Sequence, residues 1–333
     1  MLLRSMRYPF AATRARALAT RFLGDKDFEE LSQLPSLDKA LARLREKTVF
    51  RAEFYRTGEG LNLEFLDFGR LICRSLSGRA TALVKGYLGW VDVENLKVVS
   101  RGLLAGRSAE DFHPLLIPGG TETRLSPENL RKAGSFEELA GSLPIHSFGK
   151  IFRKALELPE DGRLFHLETG LDHEFWRRIG ELLGKLSLFE RRGAGDILRF
   201  RADIDRFNLV HRGWRAGLED ALVLNVLPPM GSIYRRGWVR EALRSSSPAD
   251  ALSRMFPLPN VPNPLSSEGE TALWRRLYHR LQRALRSHPF NISVPLASLL
   301  LKEIEIRDLE VVLNGLRLKR GENIDAFLAA RRG

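Results

Sequence analysis

One twelve-residue pattern recurs along this chain, and the repetition limits the possible fold more than any other feature. The segment 92–103 matches the segment 203–214 at an offset of 111 residues. Both segments carry acids at their first and third positions, arginine at the tenth and glycine at the eleventh. The match continues without a gap, because Gly106 pairs with Gly217. An internal repeat of this length predicts a fold assembled from copies of one unit.

A third copy of this acid-to-glycine motif begins at Glu305, with Asn314 in place of the arginine. Glycine holds the eleventh position of the motif each time, as Gly102, Gly213 and Gly315. Glycine within a helix costs about 1 kcal/mol relative to alanine, so its recurrence needs a reason. Two reasons remain open: the backbone needs a positive φ to end the helix, or another segment packs too closely for a side chain.

A weaker motif precedes each copy and is typical of a helix start. Ser36, Ser135 and Ser247 each stand before acids or proline and then an apolar face. A serine at this position accepts a hydrogen bond from a free backbone N–H, while acids or proline suit the first turn. The sequence therefore predicts a short capped helix ahead of every acid-to-glycine helix.

The order of these motifs divides the chain into three helical units, 1–120, 121–231 and 232–333. Loops rich in proline and glycine end the first two units and turn the chain. The third unit lacks such a loop and is predicted to end in a short helix over Asn323–Ala330. The N-terminal helix is a candidate to pack with the third unit.

Apolar residues follow the helical period nearly throughout the sequence. Val93, Leu96 and Leu103, for example, share one face of a helix. Period-two alternation, which indicates strands, is scarce, and Leu61–Phe68 is the single ambiguous stretch. The predicted fold class is therefore all-α.

Composition narrows the possible partners. The formal net charge is +12 and the sequence pI is about 10.2, which favours an anionic partner but equally suits a helical protein that uses arginine for solubility. The only cysteine, Cys73, excludes an internal disulfide and is compatible with a reducing cytosol. No window reaches the roughly 18–20 apolar residues of a membrane-spanning helix.

Two stretches resemble motifs of catalysis or cofactor binding, but each lacks residues that the motif requires. His173 and Glu174 begin like a zinc-protease helix, but Arg177 occupies the place of the second histidine ligand. The stretch 180–186 is too short for a phosphate loop and lacks its Ser or Thr. We therefore expect a non-catalytic protein with no cofactor and no metal site. The minor alternative is an enzyme whose site the sequence does not reveal.

The third copy also resembles a known sequence signature. The run Lys302-Glu303-Ile304-Glu305-Ile306-Arg307-Asp308-Leu309 resembles a signature near the C-terminus of the C subunits of V/A-type rotary ATPases, whose eukaryotic homologue is the d subunit. The earlier copies resemble that family's earlier occurrences of the pattern, and the likeness covers nearly the whole chain. Asp308 departs from the family, which prefers asparagine there.

This resemblance implies a fold and a role. The fold would be three similar helical domains around a pseudo-threefold axis, shaped as a funnel. The role would be that of a rotor adaptor, which receives the foot of the central stalk (the D and F subunits), sits on the membrane proteolipid ring and transmits torque for ion transport. It implies a cytoplasmic protein held at the membrane periphery through the ring, with no nucleic-acid partner.

Two arginines at the tenth position of the motif, Arg101 and Arg212, are the candidate partner-binding residues. They lie near the ends of the repeated helices, and our hypothesis is that these ends line the socket. The alternative is that both arginines pair with acids inside their own units. A different function also stays open at this point: the charge of +12 suits a basic helical-repeat scaffold that binds nucleic acid or an acidic protein.

Overall fold

The computed structural model describes residues 8–47, 59–118, 125, 127–143, 148–232, 236–245, 267–318 and 327–329. The regular structure of these residues is helical, and no strand occurs among them, so the predicted all-α class is confirmed. The helix start predicted at Ser247 lies outside the described ranges. None of the helices within them is long and apolar enough to cross a membrane.

Six of the described helices have 15 residues or more. They are α4 (Glu59–Cys73), α6 (Trp90–Leu104), α11 (Glu160–Gly184), α12 (Leu188–Arg215), α15 (Ser267–Leu285) and α16 (Ser293–Arg317). The shorter helices of the described ranges are α1 (Pro9–Ala19), α2 (Asp25–Ser32), α3 (Leu37–Lys47), α5 (Gly78–Leu88), α7 (Ala109–Phe112), α8 (Pro127–Leu130), α9 (Phe136–Ser142), α10 (Phe148–Leu156), α13 (Asp220–Val226) and α14 (Arg236–Arg244).

Two of the predicted helix starts are confirmed. Helix α3 begins directly after Ser36, whose hydroxyl accepts from the backbone N–H of Lys39 at 3.4 Å. Helix α9 begins after Ser135, whose hydroxyl accepts from Glu138 N–H at 3.1 Å. These bonds satisfy backbone groups that have no partner inside the helix.

The acid-to-glycine motif occupies the C-terminal half of three long helical segments. These are α5 with α6, separated only by Gly89, then α12 and α16. We call them the central segments. They meet at one level: Tyr87 and Arg201 both donate to the Glu303 carboxylate, at 2.5 and 2.9 Å.

The fourth position of the motif makes the same kind of contact in every copy. The Asn95 side chain bonds both backbone groups of Ile117, Arg206 donates to Pro228 C=O, and Asp308 accepts from Ala329 N–H at 2.9 Å. The partners lie 22, 22 and 21 residues further along the chain. Each copy thus ties the connection that follows it to its own helix, although the division at residues 120 and 231 stays a prediction.

The recurring glycines have two separate explanations. Gly102 and Gly213 lie within helices because a side chain there has no room: a Cβ on Gly213 would meet Val223 at 2.6 Å, and one on Gly102 would overlap the Phe112 ring. The positive φ of 62° belongs instead to Gly106 and Gly217, just after the helix ends. Close packing therefore explains the eleventh position of the first two copies.

This close packing yields a stability prediction. Gly102→Ala gains about 1 kcal/mol of helix propensity but forces Phe112 to move, and overpacking of this kind costs about 1–3 kcal/mol. We expect a net loss of stability in urea unfolding, and the loss should shrink when Phe112→Leu is added. Gly141→Ala is the control, because nothing lies within 4 Å of that position. Equal effects at the two glycines would contradict the packing explanation.

Helix α16 is the centre of the hydrophobic core. Its side chains are buried almost all round from Ser293 to Leu313, and it packs against α1, α4, α12 and α15. The N-terminal region is fixed to it by polar bonds: Ser298 donates to Ala15 C=O at 3.1 Å, and Glu305 accepts from Leu23 N–H at 2.8 Å. A helix buried on every side needs partners for its polar side chains, and these bonds supply them for Ser298 and Glu305.

Candidate functional site

A polar cavity of about 400 Å³ opens between the first two central segments. Its walls come from α6, α11, α12 and α15, and four acids, three lysine or arginine side chains and one histidine face it. The lining residues are Trp90, Val93, Glu94, Lys97, Asp172, Phe175, Arg201, Asp205, Asn208, His211, Arg212 and Glu270. We call this space the central cavity.

Matching positions of the motif face this cavity. Glu94 and Asp205 hold the third position, and Lys97 and Asn208 hold the sixth. Residues three apart lie on one face of a helix, so the first two copies present the same face. In the third copy the sixth position is Glu310, which lies near enough to Glu94 for the two carboxylates to interact. The first two copies thus direct one polar face into the cavity, and Glu310 of the third copy lies beside it.

Lys97 is, with Arg201, one of the most buried charges of the lining. Its ammonium donates to Asp172 at 2.6 Å and to Glu94 at 2.9 Å. Burial opposes its charge, yet these two carboxylates hold the pKa of Lys97 above its ordinary value. Burial also raises the pKa of Asp172 to about 6; Asp205 acts in the same direction and Lys97 in the opposite one. The lysine consequently links α6 to α11 through paired charges.

Glu310, beside this lining, is the strongest candidate for titration near neutral pH. Burial raises its pKa from 4.5 to about 7; Arg307 opposes the shift and Glu94 adds to it. An acid that holds its proton more tightly in the folded state makes the fold lose stability as pH rises from its unfolded to its folded pKa.

Glu310→Gln should remove this loss. We expect the variant to exceed the wild type by about 1–3 kcal/mol at pH 8, since one pKa unit corresponds to about 1.4 kcal/mol. The gain should shrink toward pH 5, where the wild-type carboxyl is largely protonated in the folded protein. Urea unfolding at both pH values measures the difference, with exposed Glu110→Gln as control. A stability gain of the same size at pH 5 and pH 8 would show that the Glu310 carboxyl does not titrate between them.

The structure does not bring the two candidate arginines together. Arg212 is exposed and lines the central cavity, and it has no ion-pair partner among the described residues. Arg101 lies outside the lining and is bound through Nε to Glu168 Oε1 at 2.5 Å, with half of its side chain exposed. Glu168 belongs to the second predicted unit, so Arg101 pairs across the predicted division and not within its own unit.

Sequence reasoning missed a buried charge network that joins the central segments. Arg201 Nη1 donates to Asp205 at 2.6 Å, its Nε donates to Glu303, and its guanidinium lies 4.6 Å from the centre of the Trp274 ring. Asp205 also accepts from Trp176 Nε1 at 2.8 Å. The available signal was register, because Arg201 and Glu303 both stand two residues before the motif.

The signature run of the third copy is also buried. Lys302 donates to Glu305 at 2.6 Å and contacts Glu64 of α4, and it is only 4% exposed. Together with Glu303, these residues attach α16 to α4, α5 and α12. The signature therefore builds the rigid body, while the cavity is lined by other positions.

Taken with the fold, the site defines a class of protein: an all-helical body, with buried ion pairs between its helices and a charged cavity beside the first two repeated helices. Within the described residues, no group of three or more histidine, cysteine or acidic side chains is placed to hold a metal ion. The chain belongs to the ATP synthase (C/AC39) subunit family, whose sequence profile matches residues 11–327.

Individual relatives agree with this assignment. The C subunit of the V-type ATP synthase of Deinococcus radiodurans is 25% identical over 92% of this chain and 87% of its own length. The C subunit of the A-type ATP synthase of Methanothermobacter thermautotrophicus is 23% identical over 93% of this chain and 84% of its own length. The equivalent protein of Pyrococcus horikoshii is also 23% identical, over 92% and 85%. The resemblance seen in the sequence is confirmed.

Proposed function

We propose that this chain is a non-catalytic rotor adaptor of a V/A-type rotary ATPase. It links the central stalk to the membrane proteolipid ring and transmits torque between ATP turnover and ion transport. The observation that carries this proposal is the central cavity, into which the first two repeated helices of a C/AC39-type protein turn their matching polar faces. A funnel of three similar units around a pseudo-threefold axis is the arrangement that suits this role.

Torque transmission requires a body that does not deform, and the buried contacts support this requirement. Arg201 and Lys302 each pair with two acids from different helices, and both are less than 10% exposed. Interiors packed with paired charges and interlocked side chains transmit strain with little compliance. The same rigid core ties α1 to α16, so the N-terminal region moves with the body.

The central cavity is the proposed socket for the foot of the stalk, formed by the D and F subunits. Its wall mixes Glu94, Glu270 and Asp205 with Lys97 and Arg212, so a partner with both signs of charge fits it. Charged rims of this kind fix the register and orientation of a partner more than they add affinity. The chain then lies on the cytoplasmic side and reaches the membrane through the ring.

Arg212 is the arginine we propose to contact the stalk directly, and Arg101 contacts it with the half of its side chain left exposed. Arg212→Glu should weaken binding of the D/F pair by at least about tenfold, because like charges brought into an interface cost several kcal/mol. Arg215→Glu changes the same charge three residues away, outside the cavity lining, and should bind normally. Equal losses in both variants would remove Arg212 from the interface.

Co-purification tests the role as a whole. The full chain should be retained by a purified proteolipid ring and, separately, by a D/F pair, and it should bridge the two. A folded chain that binds neither would refute the proposed function, and one that binds only the stalk would refute the link to the ring.

A further inference from the structure

One end of the molecule combines exposed phenylalanines with a marked excess of positive charge. The segments 8–16, 73–79, 185–193 and 285–293 lie where α1, α5, α12 and α16 begin. We call this the basic end. The segments meet: Asn291 donates to Phe189 C=O at 3.1 Å, and Arg79 donates to Lys185 C=O at 2.7 Å. Arg14 and Arg16 of α1 bond Ser75 and Ser287, respectively.

Charge at this end is strongly one-sided. The four segments contain eight lysines and arginines but a single acid, Glu190, and so hold more than half of the chain's net charge of +12. Glu190 is engaged locally, because its carboxylate accepts from Ser187 N–H at 2.9 Å and from the Tyr8 hydroxyl. Arg192 and Arg286 are exposed. A surface of this composition attracts anions over a distance of about 10 Å at ordinary salt.

Large apolar side chains project from the same turns. Phe10, Leu188 and Phe189 are 67%, 66% and 62% exposed, and Phe290 is 36% exposed. They stand at or just before helix starts, so they protrude one by one at the tips of turns. Protruding phenylalanines surrounded by arginine suit insertion into the headgroup region of a bilayer, which deforms around them.

The basic end also lies opposite the central cavity. Phe189 and Arg212 are both in α12, 23 residues apart. At about 1.5 Å per residue this places them roughly 35 Å from each other along one helix. A partner seated in the cavity therefore leaves the basic end uncovered.

We propose that the basic end binds the surface of an anionic lipid bilayer directly, with Phe10, Phe189 and Phe290 inserted among the headgroups and the arginines on lipid phosphates. The proposal deepens the proposed function, on which it rests only for placing the chain at the membrane, and it adds a direct lipid contact to the one made through the ring. Lipid contact would hold the adaptor's axis upright on the ring.

Vesicle co-sedimentation of the full chain tests this inference without ring or stalk. We expect binding to vesicles of phosphatidylcholine with about 30% phosphatidylglycerol to be at least tenfold stronger than to pure phosphatidylcholine, and to weaken as salt rises. Phe10→Ala with Phe189→Ala should reduce binding about tenfold through lost apolar burial. Arg192→Glu with Arg286→Glu should reduce it at least about 25-fold, since each basic residue contributes about fivefold.

Matched changes at the other end of α12, Trp214→Ala with Arg215→Glu, are the control and should bind vesicles as the wild type does. Thermal unfolding of every variant shows that it remains folded. Equal binding to both vesicle types, or phenylalanine variants that bind normally, would overturn the inference. Basic-end variants that still bind vesicles but no longer bind the proteolipid ring would also overturn it, because the partner of the basic end would then be a protein. Failure with vesicles leaves the co-purification result, and hence the proposed function, intact.

Discussion

Arg201→Ala is expected to lower the free energy of unfolding by about 3–5 kcal/mol, because removing one partner leaves buried charges without compensation. Glu303 is 9% exposed and would keep only the Tyr87 hydroxyl as an observed side-chain partner in this network. Asp205 would lose a bond of 2.6 Å. Typical domains are stable by about 5–15 kcal/mol, so this loss is a large share of the total. Urea unfolding monitored by tryptophan fluorescence measures it.

The exposed neighbour Arg199 provides the control for this experiment. It lies two residues away in α12, and Arg199→Ala should change stability by less than about 0.5 kcal/mol. A double-mutant cycle with Glu303→Ala isolates the pair, and we expect a coupling of about 1–3 kcal/mol. A cycle without coupling, or equal losses at residues 199 and 201, would mean that the network does not join α12 to α16.

The all-α class was predictable because helix formation leaves a local trace in the sequence. Val93, Leu96 and Val99 are spaced for one helical face, and all three are buried in α6. Even the ambiguous stretch Leu61–Phe68 lies within α4, since its apolar residues contact the core along one side of a helix. Local spacing needs no knowledge of distant partners.

The repeat predicted equivalent positions but not their contacts. Asn95, Arg206 and Asp308 share one register and one task, yet their side chains differ in charge and shape. Each acts on a backbone group more than 20 residues away, and such a partner leaves no pattern in the residue types. Register could have identified the position, while the chemistry required the structure.

The candidate site was predicted only in part for a similar reason. Arg212, a candidate because of its register, lines the cavity, but Glu168 and Asp172 come from α11, which carries no copy of the motif. Lys97 gave no signal either, because its counterparts are Asn208 and Glu310. Residues that line the cavity from a helix outside the repeat cannot be identified from the repeated pattern.

Asp308 allows a sharp test of the shared fourth position. Its carboxylate is fully buried and accepts from Ala329 N–H at 2.9 and 3.1 Å, although the sequence predicted only a short helix over Asn323–Ala330. Of that segment the structure describes residues 327–329, which include this contact. In the third copy this bond makes the attachment that Asn95 makes in the first copy.

Asp308→Ala should therefore cost about 2–3 kcal/mol, because the buried Ala329 N–H loses a charged acceptor and gains nothing in return. Asp308→Asn should cost less than about 1 kcal/mol, because an amide oxygen accepts the same bond, as the Asn95 amide does from Ile117 N–H at 2.8 Å. Hydrogen exchange at Ala329, together with urea unfolding, distinguishes the two variants. If Asn destabilises as much as Ala, the negative charge of Asp308 and its contact with Arg307 matter more than the attachment of the chain end. If neither variant destabilises, the shared fourth position does not hold the third copy together.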